Sequence, residues 1–292
     1  MKITEAFERG EFVVTAEVGP PKGFHIEHML EEAKTYLSDI TAVNVTDNQS
    51  SVMRLGSLAT CKALKDEGLT PIFQMTCRDR NRIALESDLL SAALFGIENL
   101  LLLTGDHTKL GDHPQAKPVF DLDSVSLIHA VKQLESGVDL GGNELVGEPP
   151  KFAKGAVVSP CSDSVDVQLA KMERKVAAGA EYFQTQAVYE PEKFIQFMEK
   201  AKQFGKPVQL GIVIPKSVGM CRYMNANVAG IHVPEEMIEE LKADKEKTKA
   251  GVTGVEIAAR VIKECRPYCQ GVHIMAMGWE SKVPELLAKA GI

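Results

Sequence analysis

No apolar run in this 292-residue sequence reaches the length of a membrane span. The opening segment, Met1 to Gly10, carries charges where an export signal would carry a hydrophobic core. The chain therefore reads as cytoplasmic, with no membrane span. Excess positive charge is missing too. A net charge of −7, a pI near 5.6 and only a short basic cluster at Lys171, Arg174 and Lys175 exclude nucleic acid as the main partner. The six cysteines are scattered and make no Cys-x-x-Cys pair, so neither a disulfide framework nor an iron–sulfur cluster is indicated, and no metal site is expected. No Gly-x-Gly-x-x-Gly follows the first apolar segment, which counts against a dinucleotide-binding open sheet. No low-complexity segment or linker divides the chain, and residues 1–292 read as one domain.

The most informative stretch is Leu100-Leu101-Leu102-Leu103-Thr104-Gly105-Asp106. A run of leucines with no polar face must be covered on both sides, as in a central parallel strand. A carboxylate directly beyond the carboxyl end of such a strand lies where α/β folds place their chemistry. Seven further segments share this character. They start at Phe12, Ala42, Pro71, Ala156, Tyr182, Val208 and Gly271, with helical periodicity between them and a glycine closing many of the helices. Asp123 suits the N-cap of a helix running to Gly137, and Pro191 suits the opening of another. Two helical patterns are expected after the seventh strand. Eight strand–helix units at roughly 25–30 residues each predict a (β/α)8 barrel with insertions after strands four and seven.

In such a barrel the carboxyl ends of the strands would deliver Glu17, Thr46 with Asp47, Gln74 with Thr76, Asp106, Ser159, Gln186, Pro215 and the Met277-Gly278-Trp279 turn to one rim. Polar groups that close apolar strands must find a partner, water or a ligand, because burying one unpaired costs about 1–3 kcal/mol. Two carboxylates with amides and hydroxyls, and no histidine triad or metal-spaced ligand set, suit proton transfer and recognition of a heterocycle. Each residue also has an ordinary use. Glu17 before Gly-Pro-Pro reads first as a solvated strand end, although desolvation there would raise a carboxyl toward a working acid. Asp106 could cap a turn, Gln186 could be an interior amide, Phe120 loop packing, and His273 a core histidine. Lys175, judged from pattern alone, sits on a solvated basic helix face.

Taken in order, several stretches resemble the methylenetetrahydrofolate reductase family, and the resemblance spans nearly the whole chain. They are Ala16-Glu17-Val18-Gly19-Pro20-Pro21, Val43-Asn44-Val45-Thr46, Met75-Thr76-Cys77, Leu103-Thr104-Gly105-Asp106, Arg174-Lys175-Val176-Ala177-Ala178-Gly179-Ala180 with Thr185-Gln186, and Gly271-Val272-His273-Ile274. The resemblance implies a flavin-dependent (β/α)8 enzyme of one-carbon metabolism. Such an enzyme reduces 5,10-methylenetetrahydrofolate to 5-methyltetrahydrofolate by hydride transfer from N5 of the reduced flavin to a 5-iminium folate. Glu17 would be the general acid that opens the folate ring, and Asp106, near flavin and pterin, would stabilise developing positive charge. Gln186, Asp106 and Thr76 would contact the substrate. Thr46, Gln74, Thr104, Gly105, Asp106, Phe120, Asp121, Ser159 and Lys175 would hold the flavin.

The departures shape what is expected of the cofactor and its reductant. The family's aromatics around Glu17 are absent, its arginine before Gly105-Asp106 is Thr104, its third-strand histidine is Gln74, and a tyrosine after strand five is Ser159. At strand eight Tyr-Thr-Leu-Asn becomes Met275-Ala276-Met277-Gly278. The cofactor is expected to be FAD, with FMN the alternative these losses leave open. The pattern resembles the short reductases of acetogenic anaerobes, which implies an oligomer that takes electrons from a metal-containing partner subunit, NAD(P)H being the other donor. Two competing readings are a flavin-free, pterin-binding barrel methyltransferase and a non-catalytic subunit of a one-carbon complex.

Overall fold

The computed structural model describes residues 1–292. The leucine run forms β4 (Asn99–Leu103), buried on both faces except at its last residue. It pairs in parallel with β3 (Pro71–Thr76) on one side and β5 (Ala153–Val158) on the other. The remaining strands are β1 (Val13–Val18), β2 (Ala42–Val45), β6 (Tyr182–Ala187), β7 (Val208–Val213) and β8 (Gly271–Met275). All pair in sequence order, and β8 closes on β1, giving a closed eight-stranded parallel barrel. This is the (β/α)8 barrel expected from the sequence.

Helix α1 (Ile3–Glu8) precedes the barrel. Between the strands run α2 (Glu27–Tyr36), α3 (Ser57–Asp66), α4 (Arg82–Leu94), α5 (Ser124–Glu135), α6 (Val165–Ala178) and α7 (Pro191–Ala201). Four helices separate β7 from β8: α8 (Val218–Asn227), α9 (Glu235–Ala243), α10 (Lys245–Lys249) and α11 (Val252–Cys265); α12 (Val283–Ala290) ends the chain. The alternation of strand side chains sorts the core into two bodies. Outward-facing strand residues and the inner faces of the helices make a 64-residue cluster. A separate eight-residue cluster, including Val13, Ala42, Ile72, Leu101 and Tyr182, plugs the amino-terminal mouth of the barrel with Ile3 and Ala6 of α1. Chemistry is thereby confined to the other end.

Three features differ most from expectation. Strand β5 begins at Ala153, not Ala156. Its second residue, Lys154, is buried and pairs with Glu135 at 2.8 Å and Glu181 at 3.1 Å, and its third, Gly155, makes room for the Tyr182 ring, which a Cβ there would meet at 2.3 Å. A lysine and a glycine in a strand mask its apolar pattern. The eighth strand stops at Met275, because Met277 turns into the left-handed region at φ 56°. The β7–β8 insertion has four helices where two were expected. Helix α8 carries a short apolar face (Cys221, Met224) that its periodicity does not advertise, and α10 is only 5 residues long.

Candidate functional site

Along β1 the residues Val13, Thr15 and Glu17 alternate toward the barrel axis, so Glu17 arrives at the carboxyl-terminal rim by strand geometry alone. Its side chain is 12% exposed. Two groups hold the same carboxyl oxygen, Oε1: Nε2 of Gln74 on β3 at 3.0 Å, and Nε2 of His273 on β8 at 3.3 Å. Glu17 lines a cavity of about 320 Å³ with Val18, Gly19, Thr46, Gln49, Arg54 and Met277 among its walls. The Thr46 hydroxyl is buried there with no protein partner. An orphaned buried hydroxyl is destabilising by about 1–3 kcal/mol unless a ligand or water takes it, so it marks a binding position.

The rim is also where the backbone is strained. Asn48, Ser50, Ser51, Phe120 and Met277 are the non-glycine residues with positive φ, and all lie on the loops after β2, β4 and β8. Such conformations persist only where surrounding contacts impose them, and they gather at functional sites. The contacts here are ionic. Asp47 accepts from the Thr76 amide at 2.8 Å, from the Thr76 hydroxyl at 2.9 Å and from Arg80. Arg78 is buried and grips Asp79 through two bonds, at 2.8 and 2.7 Å. Its remaining nitrogen contacts reach Asn48 O at 3.3 Å and Asp106 O at 3.4 Å, tying the loops after β2, β3 and β4 together.

The structure divides the anticipated residues into groups. Glu17 and Thr46 line the cavity, and Gln74 reaches it through its hydrogen bond to Glu17. Asp106 is exposed on the rim, and its carboxylate has no protein partner. Gly105 before it has φ 90°, and a Cβ would meet Thr76 at 3.0 Å and Arg78 at 3.2 Å, so only glycine brings the β4 loop this close to β3. Gln186 is half-buried with a free amide. It sits where β6 pairing with β7 jumps from Gln184–Gln209 to Ala187–Gly211, an irregularity that re-aims side chains. Ser159 is half-buried against Gly230 of the β7–β8 insertion. The Thr76 hydroxyl is committed to Asp47.

Thr104, Phe120 and Asp121 line a second, open cleft beside α5 and α6, together with His129 and Arg174. The Thr104 hydroxyl accepts from Ser124 N at 3.1 Å at the start of α5. Asp121 is taken up by Arg82, whose hydrogen bonds hold its carboxyl low, at about 2. Lys175 does not share the solvated face its helix pattern suggested. It is turned inward, donates to Val157 O at 2.6 Å, and burial, with a further push from Lys171 against the pull of Asp123, lowers its ammonium to about 8.

Thr15, His273, Arg78 and Arg174 were not singled out for the site by the sequence. His273 was expected in the core and is there, yet it also touches Glu17. The separation of 256 residues between those two hides the contact from any local pattern. The cysteines offer no nucleophile: all are free and buried, and burial pushes Cys77 up to about 12.

A flavin requires hydrogen-bonding groups for a heterocycle and a positive group for phosphate. The orphaned Thr46 hydroxyl, the free Gln186 amide, half-buried Lys175 and the Arg174 cleft fit that demand. The fold and rim thus define a (β/α)8 barrel with a largely buried, amide-anchored carboxyl and an orphaned hydroxyl at its carboxyl-terminal end. The chain belongs to the methylenetetrahydrofolate reductase family, whose model matches residues 2–291.

Among its relatives, methylenetetrahydrofolate reductase 2 of Schizosaccharomyces pombe is 25% identical over 81% of this chain, which spans only 38% of that protein. The 5,10-methylenetetrahydrofolate reductase of Salmonella typhimurium is 24% identical over 87% of this chain and 82% of its own length. A Clostridium thermocellum protein, solved with two copies of 5-methyl-5,6,7,8-tetrahydrofolic acid, superposes with a TM-score of 0.65 at 15% identity, covering 99% of this chain and 98% of its own. That likeness carries the fold.

Proposed function

We propose that the protein reduces 5,10-methylenetetrahydrofolate to 5-methyltetrahydrofolate, with Glu17 as general acid. One observation carries this reading: a largely buried carboxyl at the end of β1, anchored by Gln74 and His273 through one oxygen, opens onto a cavity with the orphaned Thr46 hydroxyl. Family membership and the folate named for the Clostridium thermocellum neighbour support the substrate class.

Glu17 delivers its proton to N10 of the bound folate as the methylene bridge opens, leaving a 5-iminium cation. The unpaired Asp106 carboxylate stabilises that positive charge, and the Gln186 amide hydrogen-bonds the pterin edge. Thr46, Lys175, Ser159 and the Thr104–Asp106 and Phe120–Asp121 turns hold a flavin, FAD or FMN. The bound flavin supplies the hydride. Its electrons come from a metal-containing partner subunit or from NAD(P)H, and full-rate NADH oxidation by the isolated chain would eliminate the partner.

The visible spectrum of the purified protein tests the reading. A flavin band that bleaches with reductant and returns on adding methylenetetrahydrofolate is expected. A protein that binds no flavin on reconstitution would favour the flavin-free methyltransferase. Glu17→Gln is expected to keep the flavin and lose folate-dependent reoxidation by about 10²–10⁴-fold; unchanged reoxidation removes the acid assignment.

A further inference from the structure

Beneath Glu17 lies a layer of buried polar side chains from five strands: Thr15, Asn44, Gln184, Gln209 and His273. Its hydrogen-bond inventory decides where the protons sit. Gln209 Nε2 faces the backbone carbonyls of Val13 at 3.3 Å and Val272 at 3.2 Å, which can only accept, so Gln209 Oε1 accepts from Gln184 Nε2 at 3.1 Å. Asn44 and Gln184 then pair amide to amide, Asn44 Nδ2 to Gln184 Oε1 at 2.9 Å and Gln184 Nε2 to Asn44 Oδ1 at 3.2 Å, and the donating end of each is fixed. The amino groups of Gln184 and Gln209 then face Thr15 Oγ1 at 3.2 and 3.1 Å. Neither amino group can accept a hydrogen bond. The hydroxyl of Thr15 has one acceptor in reach, Nδ1 of His273 at 2.9 Å.

A buried hydroxyl that donates to nothing is penalised, so Thr15 donates to Nδ1. That nitrogen carries a lone pair, and the ring hydrogen of His273 is on Nε2. Nε2–H faces Glu17 Oε1 at 3.3 Å, and Gln74 Nε2 donates to the same oxygen at 3.0 Å. Oε1 is therefore occupied by two donors. Oε2 has no protein partner and, unlike the Thr46 hydroxyl, is not sealed in the protein.

We propose that Thr15 and His273 are positioning residues that keep Glu17 Oε1 an acceptor, so that the acid proton resides on Oε2, the oxygen open to the cavity. A proton on Oε1 would confront two N–H donors and leave both without an acceptor. The carboxyl is thus held with its proton already on the side from which it must leave. The device rests on the reading of Glu17 as the acid, but the tautomer of His273 does not, and that separates the two.

The test joins a spectroscopic arm and a kinetic arm. In protein labelled with 15N-histidine, the ring signals of His273, assigned by their loss in His273→Gln, are expected to show a bare Nδ1 and a protonated Nε2. A protonated Nδ1 overturns the proposal whatever the enzyme does. In single-turnover reoxidation of the reduced holoenzyme by methylenetetrahydrofolate, Thr15→Val is expected to lower the rate constant on the order of tenfold, with folate affinity little changed and Thr15→Ser restoring the rate. A Thr15→Val protein that binds flavin and folate and reacts at the wild-type rate overturns it, since a merely structural threonine would change melting temperature alone. If the wild-type protein shows no folate-dependent reoxidation, the proposed reaction falls, and the nitrogen signals still decide the tautomer.

Discussion

Lys175 sets function against stability at a single residue. Its ammonium is desolvated against β5 and its acidity is raised, from 10.5 to about 8. Below pH 8 the folded protein therefore carries a partly buried charge that the unfolded chain hydrates freely. Between about 8 and 10.5 the unfolded state binds more protons than the folded one, so this group's contribution to stability rises with pH across that window. Lys175→Met should then stabilise the flavin-free protein at pH 7, by ~1–3 kcal/mol after allowing for the lost bond to Val157 O. The advantage should shrink as pH climbs from 8 to 10.5. If Lys175 meets a cofactor phosphate, the same substitution weakens flavin binding. Melting curves of both proteins at several pH values, with and without flavin, measure both effects; an advantage that does not change with pH would place the ammonium in solvent.

Among the elements, α5 shows how loop and helix share the rim. Asp123 caps it with a full capping box, accepting from Ser126 N at 2.8 Å while Ser126 Oγ accepts from Asp123 N at 2.8 Å. Thr104 fixes the next amide. Asp123→Ala is expected to destabilise the protein by about 1 kcal/mol, a drop of roughly 2–4 °C in melting temperature, and no change would mean that Thr104 alone suffices. This cap was legible in the sequence, as were the leucine strand and the glycines that end helices, because each depends on neighbours within a few positions. Strand β5 was not fully legible, because Lys154 finds its acids on two other elements. Within the site, Glu17 and Asp106 could be read from strand ends. The Thr15–His273 contact could not, since the residues are 258 apart and meet only when the barrel closes. Lys175 was misread because a helix pattern reports which face is apolar, and a lysine can be buried by a specific carbonyl.

At the scale of the whole molecule, the plugged amino-terminal mouth and the polar layer above it leave the carboxyl-terminal rim as the place where a ligand completes the fold. A ligand that binds only the folded state stabilises it by RT ln(1 + [L]/Kd), about 2.7 kcal/mol at a hundredfold excess over Kd, or roughly 5–10 °C for a chain of this size. FMN and FAD share the ring and first phosphate and differ in the adenylate. The cleft beside α5 and α6 lies next to the Phe120–Asp121 turn and is walled by Arg174 and His129, so it is the natural place for that extension. FAD should therefore bind more tightly and raise the melting temperature more than FMN at equal concentration. Arg174→Ala, at an exposed position with no salt bridge, should erase that difference while leaving the FMN shift intact. Equal shifts for the two flavins in the wild-type protein would mean that the cleft does not hold an adenylate, and the cofactor would then be assigned as FMN.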